Sequence, residues 1–198
     1  AGLVKGASKG EGLGNKFLAN IRECDAVLHV LRCFDDDNVV HVDGSVDPIR
    51  DKEIIDLELQ LKDLETIESR YAKVEKMART GGDREAKMML EILKSYKSAL
   101  EQGKSARTVS FESKDEVKLA KELCLLTAKP VLYVCNVDEA SAKSGNKYTE
   151  QVAKIAAEEE AKNSIFVKED EAKKEAQTIA EKSKGEVKAL KDKAMANV

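Results

Sequence analysis

Apolar positions recur at two periods along this chain, and the change from one to the other marks its elements. Leu13, Phe17, Leu18 and Ile21 stand at helical spacing and predict a short amphipathic helix over about residues 12–23. Next, DAVLHVLRCF (residues 25–34) is a nearly continuous apolar run with Val27, Leu28, Val30 and Leu31. Such a run predicts a strand covered on both faces, as in a parallel sheet. His29 within it reads as a core or sheet-edge histidine. From Asp51 to Thr80, Leu57, Leu61, Leu64, Ile67, Tyr71, Val74 and Ala78 form a heptad-like seam among charges. Asp47-Pro48 ahead of it reads as an N-cap with proline in the first turn. TGGD (80–83) ends this helix on glycine and starts another with Asp83 as its cap. The second helix carries Ala86, Met89, Leu90, Leu93, Tyr96 (or Lys97) and Leu100 and ends near Gly103. Matched stripes and a four-residue turn predict an antiparallel hairpin whose seam includes Leu61, Leu64, Tyr71, Leu90 and Leu93. At 1.5 Å per residue its longer arm reaches on the order of 40 Å, so it is expected to project from the core.

Beyond a connector over 104–115, residues 114–129 read as a helix with Val117, Ala120, Leu123 and Cys124 on one face, stopped by Pro130. PVLYVCN (130–136) is a second apolar strand. A helix follows over about 146–160, and SIFV (164–167) is a candidate third strand. From Lys168 onward the chain is nearly all Lys, Glu and Ala. Two strands of the buried type, each paired with helices, predict an α/β fold: a parallel-sheet core with the helical hairpin inserted between its strands.

Composition sharpens this picture only in part. Charged residues make up 36%, aromatics 4%, and there is no Trp, which suits a small core carrying long solvated helices. The net charge of −3 with mixed signs gives no nucleic-acid footprint, so sequence-specific DNA is not expected as a partner. No run approaches the ~20 apolar residues that span a bilayer, so no membrane partner is expected and the cytoplasm is the expected location. Cys24, Cys33, Cys124 and Cys135 show no metal spacing and read as small buried hydrophobes rather than a disulfide framework.

Candidate chemistry gathers where the predicted strands end. In open parallel sheets, ligands bind beyond the carboxyl ends of the strands. FDDDN (34–38) and NVDE (136–139) both lie there. The opening AGLVKGASKGEGLG holds five of the eleven glycines in fourteen residues, a composition that suits a phosphate-holding loop. Such loops follow a strand, so the chain is expected to have lost its beginning.

These residues carry a family resemblance. AGLVKGASKGEGLGNKFLANIRE resembles the second switch segment of the YchF subfamily of Obg-like ATPases, which are P-loop nucleotidases. HVLRCFDDDNVVHVDGSVDPIRDKEIIDLELQLKDLE and the hairpin are similar to the same subfamily, and the resemblance runs from residue 1 to about 160. NVDE stands where guanine-nucleotide proteins carry Asn-Lys-x-Asp. The resemblance implies a partial P-loop core whose phosphate-binding loop, Mg²⁺-binding Ser/Thr and first switch would precede Ala1, and whose TGS-type domain would follow.

The resemblance also implies roles for individual residues. Gly2 would sense the γ-phosphate through its backbone N–H. Leu3 takes the place of the Gln that orients the attacking water in Ras-like enzymes, and leucine has no donor or acceptor. The subfamily's histidine, in a mobile loop after a strand, corresponds to His41 in VVHVDG, either the catalytic group or a surface loop residue. Asn136, Val137 and Glu139 would flank the base, or else NVDE caps a helix. Lys5, Lys9 and Lys16 read as solvated loop lysines. ATP, with GTP weaker, Mg²⁺ and the ribosome are the implied ligands and partner.

Four regions are expected: 1–47, part of the nucleotide-binding core; 48–110, the hairpin insertion; 111–167, the rest of the core; and 168–198, a charged helical tail that departs from the family pattern. The function that follows is an Obg-like nucleotidase acting as a ribosome- or stress-associated switch, inactive as this 198-residue piece alone. The competing reading is a non-enzymatic interaction module built on the hairpin.

Overall fold

A computed structural model describes residues 14–41, 44–80 and 84–160. The elements are α1 (Gly14–Glu23), β1 (Val27–Arg32), α2 (Pro48–Thr80), α3 (Arg84–Glu101), a 3₁₀ turn (Ala106–Thr108), α4 (Lys114–Glu122) and β2 (Val131–Asn136). Residues 147–156 continue as a helix, α5. The chain forms two compact units, Ala1–Ala156 and Ala157–Val198; in the second, residues 157–160 are helical. SIFV and the charged tail lie outside the described residues.

β1 and β2 pair in parallel, in a register running from Val27 opposite Val131 to Arg32 opposite Asn136. A parallel pair needs a long crossover, and the hairpin lies within it, as the sequence predicts. Asp47 starts α2 as expected: its Oδ1 accepts from the N–H groups of Ile49 and Arg50, both at 3.1 Å. Gly103, at φ +71°, ends α3. Its N–H donates to Leu100 O and that of Lys104 to Ala99 O, a Schellman closure. Gly103-Lys104-Ser105 is therefore a helix stop in this fold.

The hairpin carries its own core. Ile67, Val74, Met89, Ile92, Leu93 and Tyr96 are buried, with Leu64, Tyr71 and Leu90 partly buried against them. Its far end is not bare, since Leu119, Ala120 and Leu123 from and after α4 join the same cluster. Leu57 and Leu61 do not belong to the seam; they are 55% and 41% exposed. At about 100° per residue, Leu61 stands roughly 120° around the helix from Ile67, whereas Asp63 stands within about 40° of it.

α4 stops at Glu122, seven residues short of the expected end. Leu125, Leu126 and Thr127 leave the helix as a buried irregular segment, after Cys124 takes φ +48°. The N–H groups of Leu126 and Thr127 turn to the carboxylate of Asp63 instead of the helical ladder. The helix start has a capping box that the pattern did not reveal: Ser113 and Glu116 exchange backbone bonds at 2.9 and 3.1 Å.

Among the described residues, helices cover the sheet on one face, not two. Leu31 and Cys33 are buried with Ile49, Tyr133, Cys135 and Val152. Leu28, Val30 and Leu132 alternate with these and are 66%, 61% and 63% exposed. The reason is that α1, α2 and α5 all pack on the same side. Two cysteines also depart from expectation: Cys24 and Cys124 are exposed, while Cys33 is buried. His29 sits half-buried on β1 with its ring 5.8 Å from that of Tyr133.

Candidate nucleotide-binding edge

The carboxyl ends of β1 and β2 lie side by side, so the loops that leave them start next to each other. The β1 loop is built around two arginines. Arg32 donates to three backbone carbonyls, Phe34 O at 3.1 Å, Val39 O at 2.8 Å and Asp36 O at 3.3 Å. Its guanidinium also lies 4.7 Å from the Phe34 ring centroid. Arg50, from the first turn of α2, donates to Ser45 O at 2.7 Å and Ser45 Oγ at 3.1 Å. One arginine thus holds the outgoing half of the loop and the other its return.

His41 lies between these braces. Its Nε2 is 2.8 Å from Asp51 Oδ2, and the two side chains are 14% and 22% exposed. Asp51 stands in the first turn of α2, where the helix dipole favours a carboxylate. Its other oxygen, Oδ1, accepts from Arg50 Nε and Nη2 at 3.4 and 3.2 Å. The His41 carbonyl accepts from Gly44 N, and Gly44 has φ +77°, a conformation that glycine takes without strain.

The β2 loop holds the NVDE residues. Asn136 and Glu139 are exposed, while Val137 is half-buried and packs in the Leu31–Cys33 cluster. Asp138 turns inward along the chain: its Oδ1 accepts from Ser141 N at 2.7 Å, and this hydrogen bonding holds its carboxyl below the usual range. The tetrad therefore caps a turn through Asp138 and leaves Asn136 and Glu139 outward.

The two loops are joined. Asn146 Nδ2 donates to Cys33 O at 2.8 Å, and Tyr148 Oη donates to Asp35 at 2.8 and 3.0 Å. Asn146 Oδ1 also caps α5, accepting from Tyr148 N and Thr149 N. Behind the joint, burial beside Cys135 pushes the Cys33 thiol up to about 12, so it stays protonated and inert.

The edge thus brings the His41 loop and Asn136–Glu139 to one place. Gly2, Leu3, Lys5 and Lys9 lie outside the described residues. Among the described residues no cluster of three or more His, Cys, Asp or Glu is placed to hold a metal ion, and no helix is long and apolar enough to cross a membrane. Arg32, Asp51, Asn146 and Tyr148 escaped the sequence reading. Asp51 had one faint signal, its place as an acid in a first turn; Arg32 ends a strand, and Asn146 and Tyr148 stand at the start of α5.

Comparison with known proteins bears on the family of the chain. No family model matches the chain. It is 53% identical over 163 residues to "Ribosome-binding ATPase YchF" of Bacillus subtilis (strain 168), covering 81% of this chain and 44% of that protein. The protein of the same name from Escherichia coli O157:H7 is 46% identical over 159 residues, 80% of this chain and 43% of its own length. "Obg-like ATPase 1" of Oryza sativa subsp. japonica is 42% identical over 153 residues, 77% of this chain and 39% of that one. Among solved structures, that of the Schizosaccharomyces pombe YchF GTPase superposes with a TM-score of 0.64 at 40% identity, over 78% of this chain and 42% of the other. The chain spans about two fifths of the length of these relatives. On this identity, and on the shared fold, the chain belongs to the YchF subfamily of Obg-like ATPases.

Proposed function

We propose that the protein to which these residues belong binds and hydrolyses nucleoside triphosphate, ATP in preference to GTP, as a cytoplasmic switch that works on the ribosome. The observation that supports this reading is the joined pair of loops at the sheet edge, since open parallel sheets bind ligands in the crevice beyond their strand ends. The ATPase and ribosome-binding names of the relatives support it.

In this reading 1–47 and 111–167 build the nucleotide core, 48–110 is the inserted hairpin, and 168–198 is an appended tail. Leu3 leaves the attacking water without a side-chain partner at the usual position. The His41 imidazole supplies one, and the loop brings it over the γ-phosphate beside the Gly2 N–H. The Mg²⁺ that serves this chemistry in P-loop enzymes is assigned to no described residue, and no step is routed through it. Asn136 and Glu139 flank the base. Val137 replaces the lysine that packs along a guanine nucleotide, and Glu139 sets the carboxylate one methylene away from the guanine-reading position. A hydrogen bond whose partner is left unsatisfied on burial costs about 1–3 kcal/mol.

Two measurements test this. In the full-length protein, titration is expected to show ATP bound at least as well as GTP, and Val137→Lys with Glu139→Asp to shift selectivity toward GTP by roughly tenfold to a hundredfold. A wild-type protein favouring GTP tenfold, or an unmoved double variant, overturns the base assignment. The 198-residue chain alone is expected to turn over ATP no faster than buffer, because the groups that stabilise a transferring phosphoryl are not among its residues. Turnover that a substitution within the chain abolishes would overturn that.

A further inference from the structure

We propose that Asn146 is a positioning residue that couples the base to the chemistry. It holds the base-flanking tetrad and the loop that carries His41 in one register, so that binding at the base places that loop over the triphosphate. This rests on the reading of Asn136 and Glu139 as the residues that flank the base. The hold is built on Cys33, the first residue beyond β1. Cys33 N donates to Asn136 O at 2.7 Å, where the β2 loop begins, and Cys33 O accepts from Asn146 Nδ2 at 2.8 Å, where the same loop ends. The loop thus closes on one residue from both sides. The direction of the Asn146 amide follows from its other bonds. Tyr148 N and Thr149 N can only donate, so the atom facing them at 3.0 and 3.1 Å is the oxygen, and the NH₂ is left for the Cys33 carbonyl. Thr149 Oγ1 accepts from Asn146 N at 2.8 Å in return, a reciprocal cap that seats Asn146 on α5.

Two further contacts carry the hold outward. Tyr148 Oη donates to the Asp35 carboxylate at 2.8 and 3.0 Å, while its ring packs in the Leu31–Cys33 cluster. Arg32, opposite Asn136 in the sheet register, donates to the carbonyls of Phe34, Asp36 and Val39. The connection therefore runs from the tetrad to Val39, close before His41 in the chain. Binding energy from a part of the substrate that does not react speeds the reaction only when it is spent on orientation at the reacting centre. A joint between the two loops lets it be spent there.

Asn146→Asp separates the joint from the cap. A carboxylate oxygen accepts from Tyr148 N and Thr149 N as the amide oxygen does, but the other oxygen has no proton for Cys33 O. Tyr148→Phe keeps the ring and removes only the hydroxyl, so it cuts the Asp35 arm should the first variant fail to fold. The full-length protein is assayed with ATP and with ribose 5-triphosphate, which keeps the triphosphate and lacks the base. The ratio of kcat for ATP to kcat for the baseless analogue is expected to be about 10- to 100-fold in the wild type, the scale of an orientation effect. It is expected to fall by about tenfold in Asn146→Asp and by less in Tyr148→Phe. A merely structural role lowers both rates together and leaves the ratio where it was. A ratio unmoved in the variants, or a wild-type ratio near unity, overturns the Asn146 assignment alone. Selectivity unmoved by Val137→Lys with Glu139→Asp overturns the reading of the tetrad on which it rests.

Discussion

Asp63→Ala is expected to destabilise the chain by about 3–5 kcal/mol, the range for removing one partner from a buried charged network. Asp63 is fully buried on α2 and its two oxygens take three bonds: Leu126 N at 2.8 Å, Thr127 N at 2.7 Å and Thr127 Oγ1 at 2.8 Å. Thr127 Oγ1 in turn accepts from Ala106 N at 3.0 Å, and the Arg22 guanidinium stands 4.0 Å from Oδ1. Alanine would leave two buried N–H groups and a hydroxyl without their acceptor, and no water-sized rearrangement of one side chain replaces all three.

The same site gives a pH signature. Burial raises the Asp63 carboxyl above its usual range, against the lowering pull of the Thr127 and Leu126 bonds and of Arg22. A group whose folded pKa is raised stabilises most below its unfolded value and loses that contribution as pH climbs through the folded one. The stability of the wild type relative to Asp63→Asn, which does not titrate, is therefore expected to fall as pH rises from the ordinary aspartate range. Urea unfolding across that interval checks it. A difference that is flat or rises with pH, or an Asp63→Ala chain within about 1 kcal/mol of wild type at pH 7, overturns the account.

Leu93→Ala is expected to cost about 2–5 kcal/mol, because Leu93, on α3, is completely buried in the cluster that α2, α3 and α4 share, and truncation leaves a cavity there. Leu61→Ala, at a side chain 41% exposed, is expected to stay within about 0.5 kcal/mol. Leu64, only partly buried, falls between them. Equal losses at positions 61 and 93 in parallel denaturation curves would show that the hairpin packs on a different face.

That contrast also marks where the sequence was legible. The hairpin, both strands, their parallel pairing and the Asp47 cap follow from spacing and turn chemistry alone, because each is a local pattern or a sum of local patterns. The seam of α2 was misread at its base because the leucines were followed. The helix turns past Leu57 and Leu61, and the residue that continues the inner face is Asp63, which hydropathy treats as surface. The early end of α4 has the same origin: Asp63 is more than sixty residues away, and only the folded chain brings it to Leu126 and Thr127. At the candidate site the loops and the NVDE tetrad were legible as motifs. Their supports were not: Arg32 and Asp51 act through backbone carbonyls and a single ring nitrogen, and Asn146 and Tyr148 reach across from the start of α5.

The end of α1 is gripped from both sides. Arg22 donates outward to Cys124 O at 3.0 Å and to Thr66 Oγ1 at 2.9 Å, while Lys129 Nζ returns to the carbonyls of Arg22 and Cys24. Mechanically this is a riveted joint rather than a hinge. A push delivered along α1 from the glycine-rich segment ahead of it passes into α2 and the lead-in to β2 without slack, and a load on the hairpin returns by the same rivets.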